Sequence, residues 1–144
     1  MRLSASAGLV IAIGLLGLPS LAEAADPASN MPSNTVRPQP VLREVVKGMP
    51  KGESQEVSVF TASFQPGDKT MFHTHRFPVT VYILEGAFTL ELEGREPVTV
   101  KAGEALVEPP GVQMTGYNRS ATEPLRLVIF YTGDPGTPFL DLVH

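Results

Sequence analysis

Apolar residues along this chain fall into two patterns. The first is one unbroken run, Ala7 to Leu18, ended by Pro19 and Ser20. The second begins near Pro40, where short β-rich runs alternate with turn signals. Val41–Val46 reads as a first candidate strand. Glu56–Phe64 alternates, with Val57, Val59 and Thr61 on one face and Ser58, Phe60, Ala62 and Phe64 on the other. Successive strand residues point to opposite faces, so one of these sets should be buried. Gln65-Pro66-Gly67-Asp68 is a turn. Val79–Leu84 is continuously apolar and β-branched, as suits a buried strand. Glu85-Gly86 leads into Ala87–Leu92, where Phe88, Leu90 and Leu92 oppose Thr89 and Glu91. Val98–Val100, Ala105–Val107 and Leu125–Tyr131 follow, separated by Ala102-Gly103 and Pro109-Pro110-Gly111. Strands punctuated this often predict an all-β sandwich or barrel. No helical period of useful length follows the first run.

That first run predicts a targeting segment. Arg2 supplies a positive charge, the apolar stretch is too short for a comfortable membrane span, and Ala22-Glu23-Ala24 offers the small residues a signal peptidase reads. Residues 1–24 are therefore expected to be a signal peptide cleaved before Ala25. The mature protein is then exported, periplasmic or secreted, with no membrane attachment after cleavage. Residues 25–39, with Pro27, Pro32 and Pro38 among Ser and Asn, read as a flexible proline-rich linker, and 40–144 as the folded domain.

Composition narrows the function classes. The chain has 144 residues, a formal net charge of −4 and only 11 Lys and Arg, scattered singly. There is no basic patch to neutralise phosphates, so nucleic acid is not an expected partner. The chain contains no cysteine, which excludes disulfides, thiolate metal sites and a cysteine nucleophile. A small exported domain without disulfides must rely on its core, helped by a metal or a second subunit.

The residues that carry chemistry are His73 and His75. Two apart on a strand, they face the same side and can share one metal ion. The only other histidine is His144 at the C-terminus, so the pairing is no by-product of a His-rich composition. A pair of histidines hydrogen-bonded in a polar pocket is the competing reading.

The frame around the pair resembles the cupin superfamily. Its first motif runs Gly, five residues, His-x-His, three or four residues, Glu, six residues, Gly; this chain has Gly67, five residues, His73-Thr74-His75, then Glu85-Gly86. Its second runs Gly, five residues, Pro-x-Gly, two residues, His, three residues, Asn; here stand Gly103, Pro109-Pro110-Gly111, Met114 and Asn118. The resemblance extends over about Val41 to Tyr131 and implies a jelly-roll-like β-barrel. It also implies a metal shell of three His and one Glu, and here the chain departs. Val79, or Thr80 with a slip of one, occupies the Glu position, and Met114 the second-motif His position.

The implied ligand set is thus His73, His75 and the Met114 thioether. Soft sulfur favours copper, whereas the family's usual shell suits iron or manganese; Met114 as plain apolar filler is the alternative. Glu104 and Glu108 flank the second motif, where either could be an extra carboxylate or a solvated strand-end charge. Tyr82, Phe72 and Phe77 are candidates to line the cavity. Two functions follow. One is a transition-metal-binding cupin acting on a small organic molecule. The other is a non-catalytic module holding copper or a small apolar ligand, with metal-free binding included. Pairing of two copies into a homodimer is a further expectation.

Overall fold

The computed structural model describes residues 32–144, so the expected signal peptide and residues 25–31 of the linker lie outside the described residues. The chain divides into two units between Pro38 and Gln39. Residues 32–38 are exposed and contain no strand, with a turn closed by Thr35 N donating to Pro32 O.

Among the described residues there is no helix, and nine strands form two antiparallel sheets. They are β1 (Glu56–Phe64), β2 (His73–Thr74), β3 (Val79–Glu85), β4 (Ala87–Leu92), β5 (Val98–Lys101), β6 (Ala105–Glu108), β7 (Met114–Tyr117), β8 (Leu125–Gly133) and β9 (Asp141–Leu142). One sheet has the order β1-β8-β3-β6 and the other β5-β4-β7-β2-β9. The inner faces supply one core: Val79, Val81 and Ile83 from β3, Leu125, Leu127 and Tyr131 from β8, Leu106 from β6, Phe88 and Leu90 from β4, Val100 from β5 and Met114 from β7. The period of two that buries one face of a strand is clear in β3 and β6, whereas β4 and β7 bury three consecutive residues each.

The alternation decides which expected face is which. On β1, Phe64 and Ala62 pack against the core, while Val57 and Val59 remain exposed. On β3 the continuous apolar run is sorted by the pleat. Val79, Val81 and Ile83 are buried, and Tyr82 points to the opposite face. Gly86 ends β3 at φ 77°, and a Cβ there would stand 2.3 Å from Pro124 O. Only glycine meets both demands.

One expected strand does not form. Val41–Val46 is irregular and mostly exposed. Leu42, Glu44 and Val46 line a groove with Thr80 of β3, Val107 of β6 and Phe130 and Thr132 of β8. A segment crossing the outer face of three strands cannot join their hydrogen-bonded ladder, so its strand-like composition finds no pairing edge.

Candidate metal centre

β2 is only two residues long, yet it joins two partners. His73 lies opposite Met114 of β7 and opposite Leu142 of β9. Chain entering from the Gly67 turn is thereby held between the second motif and the C-terminus. Both histidines are buried, His73 at 4% and His75 at 1% exposure.

The outer nitrogen of each ring is tied to a backbone carbonyl. His73 Nδ1 lies 2.7 Å from Met71 O, and His75 Nδ1 lies 2.6 Å from Phe139 O. A carbonyl can only accept, so each Nδ1 carries the proton and, in the neutral ring, each Nε2 presents a lone pair. Those lone pairs meet: the two Nε2 atoms are 3.1 Å apart. Glu108 Oε2 stands 3.1 Å from His75 Nε2. Two imidazole lone pairs and a carboxylate oxygen thus converge in a buried space. Such a cluster repels itself unless a proton or a metal ion lies among the three.

The contacts run in series from His73 to His75 to Glu108, and among the described residues no group of three or more His, Cys, Asp or Glu side chains is placed, as it stands, to hold a metal ion. The donor chemistry nonetheless fits a metal ion. Two nitrogens bound side by side at about 2.0–2.1 Å from one ion sit roughly 3 Å apart, the separation seen here. Hydrogen bonding of the distal ring nitrogen to a carbonyl is the support that metal-bound histidines commonly receive. Burial pushes His73 below the ordinary histidine range, opposed by its bond to Met71 O. A neutral imidazole is the ligating form.

The C-terminal segment closes this end of the fold. Phe139 packs against His75 in a tilted arrangement with ring centroids 4.9 Å apart and edge-to-face against Tyr131 at 5.5 Å. Tyr131 Oη donates to Pro138 O, and Val143 N to Phe72 O. Arg76 grips Asp141 through two hydrogen bonds of 2.8 and 2.9 Å. That grip holds the Asp141 carboxyl below its usual range. The segment's contribution was not visible in the sequence, because Phe139 acts through its backbone oxygen, 64 residues from His75.

The remaining candidates are sorted by the pleat. Val79, not Thr80, occupies the inward position, although it is not in the wall of the cavity at the histidines. It is fully buried and lies opposite Glu108 in the β3–β6 pairing. Met114 is fully buried, opposite His73, and belongs to the apolar core. The cavity at the histidines is about 60 Å³, lined by His73, His75, Glu108, Phe64, Phe88 and Phe139 with aliphatic neighbours; Met114 is not in its wall. Tyr82, Phe72 and Phe77 do not line it either. Phe72 is exposed, and Phe77 packs on Tyr131. Glu104 turns outward to accept from Lys101 N, leaving Glu108 as the carboxylate that reaches the site. A wider groove of about 570 Å³ under Glu44–Gly48 contains none of the three converging residues.

The family model for the cupin domain matches residues 60–131. Several solved structures resemble the fold. A cupin-like protein from Thermotoga maritima aligns with TM-score 0.54 and 18% identity, over 60% of this chain and 64% of that one. The DMSP lyase DddQ from Ruegeria pomeroyi aligns with TM-score 0.53 and 18% identity, over 70% of this chain and 59% of that one. The polyketide cyclase RemF from Streptomyces resistomycificus aligns with TM-score 0.52 and 22% identity, over 64% of this chain and 63% of that one. The chain spans about six-tenths of the length of these structures. A comparison with curated proteins gives no match.

Proposed function

The chain belongs to the cupin domain family, and from that premise we propose that it is an exported protein whose His73 and His75 hold a transition-metal ion. The observation that carries the metal is the approach of the two Nε2 lone pairs to 3.1 Å while both Nδ1 atoms donate to carbonyls. Bound there, the ion supplies a Lewis-acidic centre. The chain's own residues do the rest. Met71 O and Phe139 O hold the ring tautomers and aim both Nε2 atoms inward. Phe64, Phe88, Leu127, Ile129 and Phe139 keep the surroundings apolar and restrict water.

Cavity size favours the second reading, a binding module without turnover. About 60 Å³ accommodates one or a few water-sized molecules, whereas pockets for drug-sized ligands run about 300–1,000 Å³. A small organic substrate would have to displace part of the Phe139–Leu140 segment. The lyase and cyclase activities named for two similar structures do not transfer at such identities.

Metal analysis of the native protein, followed by titration of wild type, His73→Ala and His75→Ala, tests the proposal. Wild type should take up one ion per chain and both variants should lose it while remaining folded. Equal metal content in all three would place any site elsewhere. Export is proposed with processing before Ala25, checked by intact mass.

A further inference from the structure

We infer that Glu108 is the anionic ligand of this centre, supplied by β6 in place of a carboxylate that β3 lacks at Val79. The inference rests on the His-pair reading above and deepens it. Glu108 is 5% exposed, although a carboxylate this deep is retained only where a cation or strong donors meet it. Its ion-pair partner among the described residues is His75 Nε2 at 3.1 Å. That ring already donates through Nδ1 to Phe139 O, so its Nε2 satisfies Glu108 only when doubly protonated. A metal ion satisfies all three groups at once.

Register explains how the carboxylate gets there. Val79 and Glu108 are directly paired across β3 and β6, and directly opposite side chains in a sheet share a face, with Cβ atoms about 4.5–5.5 Å apart. A glutamate on either strand can therefore serve the same interior space. Val81 supplies the β3 side of the cavity wall with hydrocarbon, and Glu108 enters from the neighbouring strand beside both histidines. The donor set becomes two imidazoles and one carboxylate. Oxygen and nitrogen donors with one negative charge favour borderline divalent ions such as Mn²⁺, Fe²⁺ or Zn²⁺ over Cu⁺, which a thioether would select. The small cavity beside these donors, about 60 Å³, would leave room for water or a ligand of similar size.

Titration with Zn²⁺ and with Mn²⁺, followed by calorimetry, tests the assignment in wild type, Glu108→Gln, Met114→Leu, His73→Ala and His75→Ala. Glutamine keeps the shape and removes the charge. Glu108→Gln should weaken both ions by more than a hundredfold, beyond the 10–100-fold typical of residues that only support a ligand. Binding that is intact in Glu108→Gln but lost in the two histidine variants overturns the role of Glu108 and leaves the His-pair reading standing. Binding lost with Met114→Leu and kept with Glu108→Gln assigns the third donor to sulfur and likewise overturns it. Absence of binding in wild type overturns both readings. A crystal structure of zinc-loaded wild type gives an answer that needs no variant to fold. A Glu108 oxygen should lie about 2.0–2.2 Å from the ion, and an oxygen beyond bonding distance refutes the assignment.

Discussion

Two buried polar clusters occur in this fold, and they obey opposite rules. Around Asn118, 2% exposed, every group has a complement. Its Nδ2 donates to Phe64 O, Gln65 O and Glu123 O, its Oδ1 accepts from Ser120 N, and its backbone exchanges hydrogen bonds with Gly67 and Asp68. Around His75 the groups that meet are all acceptors in the neutral state: two Nε2 lone pairs and the Glu108 carboxylate. The first cluster ties the β1–β2 turn to the loop after β7, which is architecture. The second stores an electrostatic demand that a cation relieves, which is the signature of a site. Buried polarity alone does not separate the two; donor and acceptor accounting does.

Four substitutions or conditions press on that contrast, in descending order of expected effect. Val79→Glu adds a second carboxylate opposite Glu108 in space already rich in acceptors. Without metal it should cost about 3–5 kcal/mol, the range for uncompensated buried charge. Added divalent ion should restore much of the loss, increasingly with concentration. Denaturant unfolding with and without Zn²⁺ measures both, and a metal-independent loss would show that position 79 does not face the ion.

Asn118→Ala should come next. It strands carbonyl acceptors and one N–H donor, and losing such buried partners costs about 2–3 kcal/mol. Metal affinity of the folded variant should match wild type, since Asn118 takes no part in the cavity. A matching loss in affinity would merge the two clusters into one and break the comparison.

Glu108→Gln in the metal-free protein should have the opposite sign. Its amide can donate to the His75 Nε2 lone pair and removes a buried negative charge, so at pH 8 the variant should gain about 1 kcal/mol. Destabilisation there would mean that the Glu108 carboxylate is better satisfied in the metal-free fold than an amide would be.

The smallest effect is that of pH on the metal-free wild type. The folded His73 pKa lies below its ordinary value because of burial. The unfolded chain therefore binds more protons across the interval between the two values, and stability falls as pH drops into it from above. The contribution is fully present above the ordinary histidine range. Thermal unfolding from pH 8 downward should show a declining Tm, flattened in His73→Gln, and bound metal should fall only at lower pH, once protons compete for Nε2 in the folded protein.

Much of this fold was legible in the chain. The alternation of Glu56–Phe64 and Ala87–Leu92, the apolar run Val79–Leu84 and the glycine spacings on either side of His73-Thr74-His75 specify the strands and both motifs. Period-two patterning is local, so it survives in one dimension. The misreading of Val41–Val46 has the same origin, because local pattern shows β-like composition but not whether a pairing edge is free.

What the sequence determined by itself is therefore the all-β architecture, cupin membership and the two histidines. It also left a gap at Val79, with Met114 as the substitute donor. Only the tertiary structure brought Glu108 to that gap, since its relation to Val79 is a pairing across two strands 29 residues apart. The carbonyls that set both ring tautomers, Met71 O and Phe139 O, were equally out of reach. Backbone oxygens carry no residue signature, and long-range register is fixed by which faces can be buried together. A side chain on a neighbouring strand can share a place in space with a motif position without sharing its place in the motif.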